Sequence, residues 1–221
     1  MSLYDRNYAK QNQEELAYSQ SSLSTFIKQT YQLFAASLLS ATAGAYVGIS
    51  IAGVFAANRF LFWGLVILEF VLLFGLMAAK RKEGLNLILL FAFTFVSGLT
   101  LTPLLSAILA MSSGARIVAQ AFGLTTVAFG ALSVFAMNTK RDFTTMGKML
   151  FITLIVIVVA AIINIFVKST MFQLVISSIA SILFSAYILF DTQNIIRGNY
   201  ETPVEGAVAV YLDFVNLFTS L

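Results

Sequence analysis

The sequence predicts an all-α, polytopic membrane protein, and three observations predict it. Of the 221 residues, 59% are hydrophobic and only 10% charged, against roughly 25% charged in an average soluble domain. The apolar residues come in runs of about 20, the length a helix needs to cross the hydrocarbon core of a bilayer. The basic residues fall in short clusters between those runs, where membrane topology places them.

On the length criterion there are seven candidate spans, at 26–56, 60–79, 85–111, 117–137, 146–167, 172–195 and 204–221. The first is long enough to tilt, and it carries Ser40, Gly44, Gly48 and Ala52 at four-residue spacing, a small-residue face that lets another helix approach closely. The third contains Pro103, which should kink it, with Ser97, Thr100 and Thr102 at hand to satisfy the freed backbone groups. Residues 1–25 are polar and lack the apolar core of a cleavable signal, so they read as a cytoplasmic tail ahead of a single membrane domain, 26–221.

The loops give the orientation. Arg6, Lys10, Lys28, Lys80, Arg81, Lys82, Lys140, Arg141, Lys148 and Arg197 fall on one side, and Arg59, Arg116 and Lys168 on the other. The positive-inside rule makes the first side cytoplasmic, the N-terminus included. With seven spans the C-terminus faces out, unless the last segment is re-entrant.

What the chain lacks narrows its chemistry. Without cysteine there is no disulfide, thiolate nucleophile or thiol metal site, and without histidine there is no Ser-His or Cys-His catalysis. The surplus of +3 is too small and scattered for nucleic acid. No enzyme and no bound cofactor are expected. A response to pH near neutrality then falls to carboxylates in unusual surroundings.

Three acidic residues lie well inside spans: Glu69 in VILEFVLL, Asp191 in YILFDTQ and Asp213 in YLDFVNLF. An ionised carboxylate in an apolar medium is so costly that it must find a partner, neutralise, or line a wet path. At about 1.5 Å per helical residue, Asp191 lies roughly 9 Å and Asp213 roughly 12 Å from the cytoplasmic ends of their helices, while Glu69 is deeper, at roughly 16 Å. The two aspartates can therefore meet. Tyr187, one turn before Asp191, is placed to donate a hydrogen bond to it, and Asn216 shares the helical face of Asp213. Two carboxylates in one buried site tend to hold one proton between them. The pair is also a hard-oxygen cation site that suits calcium better than zinc or copper.

FAFTFVSGLTLTP in the third span, YILFDTQ in the sixth and YLDFVNLF in the seventh resemble, in order and spacing, the signatures of the Bax inhibitor-1 (transmembrane Bax inhibitor motif) family. The resemblance covers nearly everything from the first span onward. It implies seven helices with the last surrounded by the other six, and a pH-sensitive calcium leak with calcium as the permeant ion. The family's two-aspartate sensor falls on Asp191 and Asp213, and the acidic residue of its second helix on Glu69. Its basic latch falls near Lys80, where a relative in the family uses arginine. Lysine lacks the planar fork arginine offers a carboxylate, so either Lys80 or Arg81 takes the role. The short chain, without a basic C-terminal tail, resembles bacterial members, which implies the bacterial inner membrane.

Other classes make different demands. A proton-coupled transporter would need broken helices in two halves around a substrate site, and no such repeat is visible. An intramembrane aspartyl protease would resemble the Gly-x-Gly-Asp pattern, whereas Val210, Tyr211 and Leu212 precede Asp213. A non-conducting regulator would bind a membrane-anchored protease or another protein partner through its cytoplasmic loops.

The orientation is directly measurable, because the chain has no native cysteine. Single cysteines at Lys80, Lys82 or Arg141 should be shielded from an impermeant thiol reagent in intact cells, and one at Arg116 should be labelled. The reverse pattern at Arg141 and Arg116 would overturn the topology.

Overall fold

The structure is a computed structural model that describes the backbone of residues 3–221 and the side chains of residues 20–221 other than Arg59. Most side chains of the expected N-terminal tail, Arg6 and Lys10 among them, lie outside the described residues, as does that of Arg59. Among those described, every regular element is helical. In chain order these are α1 Leu3–Ser50, α2 Ala52–Ala57, α3 Arg59–Ala78, α4 Leu85–Thr100, α5 Thr102–Leu109, α6 Gly114–Asn138, a 3-10 turn Thr144–Met146, α7 Gly147–Val167, α8 Thr170–Ile196 and α9 Pro203–Ser220.

Local chemistry sets several of the helix ends. The Asn58 side chain accepts from the Phe60 and Leu61 amides at the start of α3. Ser169 does the same for Phe172 in α8, and Thr202 for Glu205 in α9, with Pro203 in the first turn. Each satisfies amides that a helix start leaves without an internal partner. Lys168 closes α7 in the left-handed region at φ 54, a position more often given to glycine.

Two of the expected spans are interrupted. The first stops as a helix at Ser50, and Ala52 belongs to the short α2. The third breaks at Leu101, between α4 and α5, where Pro103 opens the new helix. Proline has no amide to offer the Leu99 carbonyl one turn back, and the Thr102 hydroxyl takes its place, donating to Leu99 O at 2.6 Å. The break is thus repaired by a hydroxyl the sequence placed beside it, while Thr100 Oγ1 lies 2.8 Å from Ser97 O.

Among the described residues six helical segments are long and apolar enough to cross a membrane: Gln20–Ser50, Phe60–Ala78, Leu85–Leu109, Gly114–Asn138, Thr144–Val167 and Thr170–Ile196. The seventh candidate, α9, is 18 residues long and carries Glu205, Asp213 and Asn216, which dilute its apolar character below that of the others. It is nonetheless well covered. It packs against α1, α4, α6 and α8, and half of its 18 residues are buried, Tyr211 and Val210 completely. Phe34 of α1, Phe129 of α6 and Phe214 of α9 meet edge-on or tilted with centroids 4.9–5.8 Å apart. By contrast α3 rests mainly on α4 and exposes Phe60, Trp63, Ile67, Phe70 and Phe74.

Lipid tails are as apolar as leucine, so helices in a bilayer associate through close fit and polar contacts rather than by expelling water. The α1–α4 contact follows that rule. Ser40 Oγ donates to Phe91 O at 3.0 Å, Gly44 lies against the Phe95 backbone, and Gly98 lies against the Ala41 backbone. The small-residue face read from the sequence is this interface, as far as Gly48 against Thr102.

Ion pairs and hydrogen bonds gather three connections at one end of the bundle. Arg81 reaches Glu201, Arg197 reaches Asp142 at 2.8 Å, and Gln193 Nε2 donates to Arg141 O at 2.8 Å. These are the segments whose basic residues the sequence placed on one side.

Gly98→Ala should force α1 and α4 apart, because the added carbon would overlap the Ala41 backbone. A loss of about 1–3 kcal/mol is expected for overpacking of this kind. Gly123→Ala, with nothing within 4 Å of the new carbon, should be neutral or stabilising. Thermal unfolding in detergent compares the two, and equal effects would refute the close-contact account.

Candidate functional site

The α8–α9 hairpin builds the site. Asp191 stands just over one turn from the end of α8, and Asp213 a little past the middle of α9. The connection of residues 197–202 returns the chain so that the two helices pack side by side. Both aspartates are buried, at 5% and 4% exposed, and their carboxylates lie within hydrogen-bonding reach of each other. The Tyr200 hydroxyl donates to Asp191 Oδ1 at 2.5 Å. The Asn194 side chain also lies against Asp191 and is held by Asn199, whose Nδ2 donates to Asn194 Oδ1 at 2.9 Å.

The pair is not neutralised by an ion pair among the described residues, and Asp213 Oδ2 has no hydrogen-bond partner. A buried acceptor left unmade costs about 1–3 kcal/mol, and more when charged. Tyr200 lies outside the helices. Burial, followed by the nearby Asp191 charge, holds its hydroxyl well above the ordinary tyrosine value, so it remains a donor.

The basic residues expected to latch the aspartates are engaged elsewhere. Lys80 Nζ lies 2.8 Å from Glu205 Oε1 and 3.3 Å from Glu201 Oε2. Arg81 Nε lies 2.8 Å from Glu201 Oε2. The hydrogen bond to Glu205 raises the Lys80 ammonium, that to Glu201 raises the Arg81 guanidinium, and Arg81 lowers the Glu201 carboxyl. Glu205 also belongs to the start of α9. Its Oε2 accepts from Glu201 N at 3.0 Å while its own amide donates to Thr202 Oγ1 at 3.2 Å, a variant of the reciprocal capping box.

Three further candidates take separate places. Glu69 accepts from Thr100 Oγ1 at 2.7 Å between α3 and α4 and is not part of the pair. Asn216 donates to its own helix, at Leu212 O. Tyr187 packs its ring on Phe184 and Phe190, and the hydrogen bond expected from it to Asp191 comes instead from Tyr200. Among the described residues no group of three or more acidic side chains is placed to hold a metal ion. The pair therefore offers calcium two carboxylates, fewer oxygens than the six to eight a resident ion takes.

The profile of the family described as "Inhibitor of apoptosis-promoting Bax1" matches residues 23–221. The chain belongs to the Bax inhibitor-1 family. It is 65% identical to a protein of Campylobacter jejuni, over 100% of this chain and 96% of that one. It is 50% identical to a protein of Helicobacter pylori, over 100% and 95%. A membrane protein of Vibrio cholerae is 42% identical over 68% of this chain and 67% of its own.

In this Bax inhibitor-1 family chain, sequence reasoning missed Tyr200, Glu201 and Gln193. Gln193 is buried in α8, and its Oε1 accepts from Phe143 N at 2.6 Å while its Nε2 donates to Arg141 O. That side chain ties the α6–α7 connection to the residues beside Asp191. Its place in the polar run 191–194 near the end of the helix was its only signal. Tyr200 gave less, as one aromatic in a polar turn.

At the same end, the Arg197 hydrogen bond holds the Asp142 carboxyl down to about 2, from an ordinary value of 3.8. A lowered carboxyl contributes stability that is fully present above its unfolded value and is lost as pH falls through the folded one. Asp142→Asn should thus lower the melting temperature by the same amount at about pH 8 and about pH 6. The difference should shrink only below about pH 4. A cost that changes between pH 8 and 6 would show that the pair titrates where it should not.

Proposed function

We propose that the protein is a pH-sensitive calcium-leak channel of the bacterial inner membrane, gated by Asp191 and Asp213. The observation that carries the reading is the pair itself: two buried carboxylates in contact, one oxygen without a partner. In this reading α9 is a seventh span, central in the bundle, and the N-terminus is cytoplasmic. The packing of α9 on α1, α4, α6 and α8 supports its central place, and the connections gathered at one end support the orientation.

Two carboxylate groups with no cation nearby among the described residues attract a divalent ion strongly but complete only part of its coordination shell. That balance suits passage, because a conducted ion must enter favourably and still leave. One proton shared between the carboxylates satisfies the unpaired oxygen and removes one of two like charges, so protons and calcium compete for the same oxygens. Asp142, Glu201, Lys80 and Arg81 keep their charge between about pH 6 and 8, given the directions of their shifts. A response in that window is not theirs.

Purified protein in liposomes should pass calcium at a rate that changes several-fold between about pH 8 and pH 6. Asp191→Asn and Asp213→Asn should flatten that dependence while leaving the protein folded. An asparagine variant that keeps the parent profile would refute the paired-aspartate gate, and no flux at any pH would refute the channel.

A further inference from the structure

We infer that Tyr200 is a positioning residue for the aspartate pair, held there by an ion-pair clasp of Lys80 with Glu201 and Glu205 acting through the connection 197–202. The inference rests on the reading of the pair as the functional site, but not on its passing calcium.

The first half of the connection is fastened to α8. Arg197 pairs with Asp142, and Gly198, at φ +68, turns the chain and donates to Ile195 O. Asn199 bonds Asn194 through both its amide and its side chain. The second half is fastened differently. Glu201 is anchored by Lys80 and Arg81, and its amide by Glu205, which is itself paired with Lys80. Tyr200 is the residue between the halves. Its ring lies over the first turn of α9 at Gly206, where an added carbon would come 3.4 Å from Tyr200 Cδ2 and 3.2 Å from Ile195 Cγ1. From there its hydroxyl reaches Asp191.

One short segment therefore joins a solvent-facing charge cluster to a buried carboxylate. The clasp borders an open cavity of about 780 Å³ lined also by Glu83, Asn86 and Thr202, so its ion pairs meet the aqueous phase. Partly exposed pairs are screened by salt. Loosening the clasp frees the Glu201 end of the connection and with it the placement of Tyr200, whose hydroxyl donates to Asp191. What the cytoplasmic solution does to Lys80, Glu201 and Glu205 is thereby transmitted to Asp191 without any of the three touching it.

The test uses the full chain in nanodiscs with one added cysteine, Ile195→Cys, at a fully buried site beneath Tyr200. On that background Lys80→Met and Tyr200→Phe should each speed modification by a thiol reagent roughly tenfold, the effect of losing one hydrogen bond to a charged group. Lys80→Arg, which keeps the clasp, should stay slow, and high salt should accelerate the parent but not Lys80→Met. If Lys80→Met stays slow, or Lys80→Arg reacts as fast as Lys80→Met, the clasp is not what places Tyr200. Should Ile195→Cys fail to fold, hydrogen exchange of amides 198–202 in the cysteine-free chain reads the same motion. Faster exchange in Lys80→Met and Tyr200→Phe supports the inference, and unchanged exchange overturns it. Neither readout needs calcium, so a protein that passes none and still shows these responses loses the leak reading and retains this one.

Discussion

The arrangement depends on burying two like-charged groups together with no cation beside them among the described residues. Charge in a low-dielectric interior is tolerated only where dipoles and donors surround it, and the chain supplies these from the hairpin that carries the aspartates. Tyr200 and Asn194 approach Asp191, while Asn199 and Gly198 shape the turn that brings them there. Gly206 leaves room for the tyrosine ring against α9. Remove this polar lining and the cost of the pair falls on the fold itself.

The remaining helices form the walls that make such burial possible. Close α1–α4 contact through Gly44 and Gly98 leaves the aromatic side of α1 to meet α6 and α9 through Phe34, Phe129 and Phe214. At Leu101 α4 gives way to α5, and Thr102 repairs the lost backbone bond. Glycine in one place and threonine in the other solve the same problem, the satisfaction of contacts that lipid cannot provide.

Much of this was legible in the sequence, for identifiable reasons. Apolar runs report spans because a bilayer enforces length. Asp191 and Asp213 were visible because a charge stands out in such a run, and Pro103 because its covalent geometry is fixed. The break at Ile51 was hidden, since the Gly48, Ser50 and Gly53 around it are equally at home in a close-packed membrane helix and hydropathy continues across it. The partners of Lys80 were hidden for another reason. Glu205 lies 125 positions away, and helical periodicity orders faces within one element without saying which distant face they meet. Lys80 and the aspartates were expected to attract each other directly, yet two nearer carboxylates in more aqueous surroundings take the lysine at lower desolvation cost.

The sparse packing of α3 has a consequence of a different kind. Among its described residues only Leu76 is fully buried; Leu72, Leu73 and Met77 lean on the core, while Phe60, Trp63, Ile67, Phe70, Val71 and Phe74 face outward. Lipid, rather than protein, is the greater part of what α3 touches. A helix so placed adjusts its tilt when the bilayer thins or thickens, while its end, just before Lys80, is tied to Glu201 and Glu205. Membrane thickness and lateral pressure are accordingly inputs to the same charged contacts that solution salt reaches from the water side.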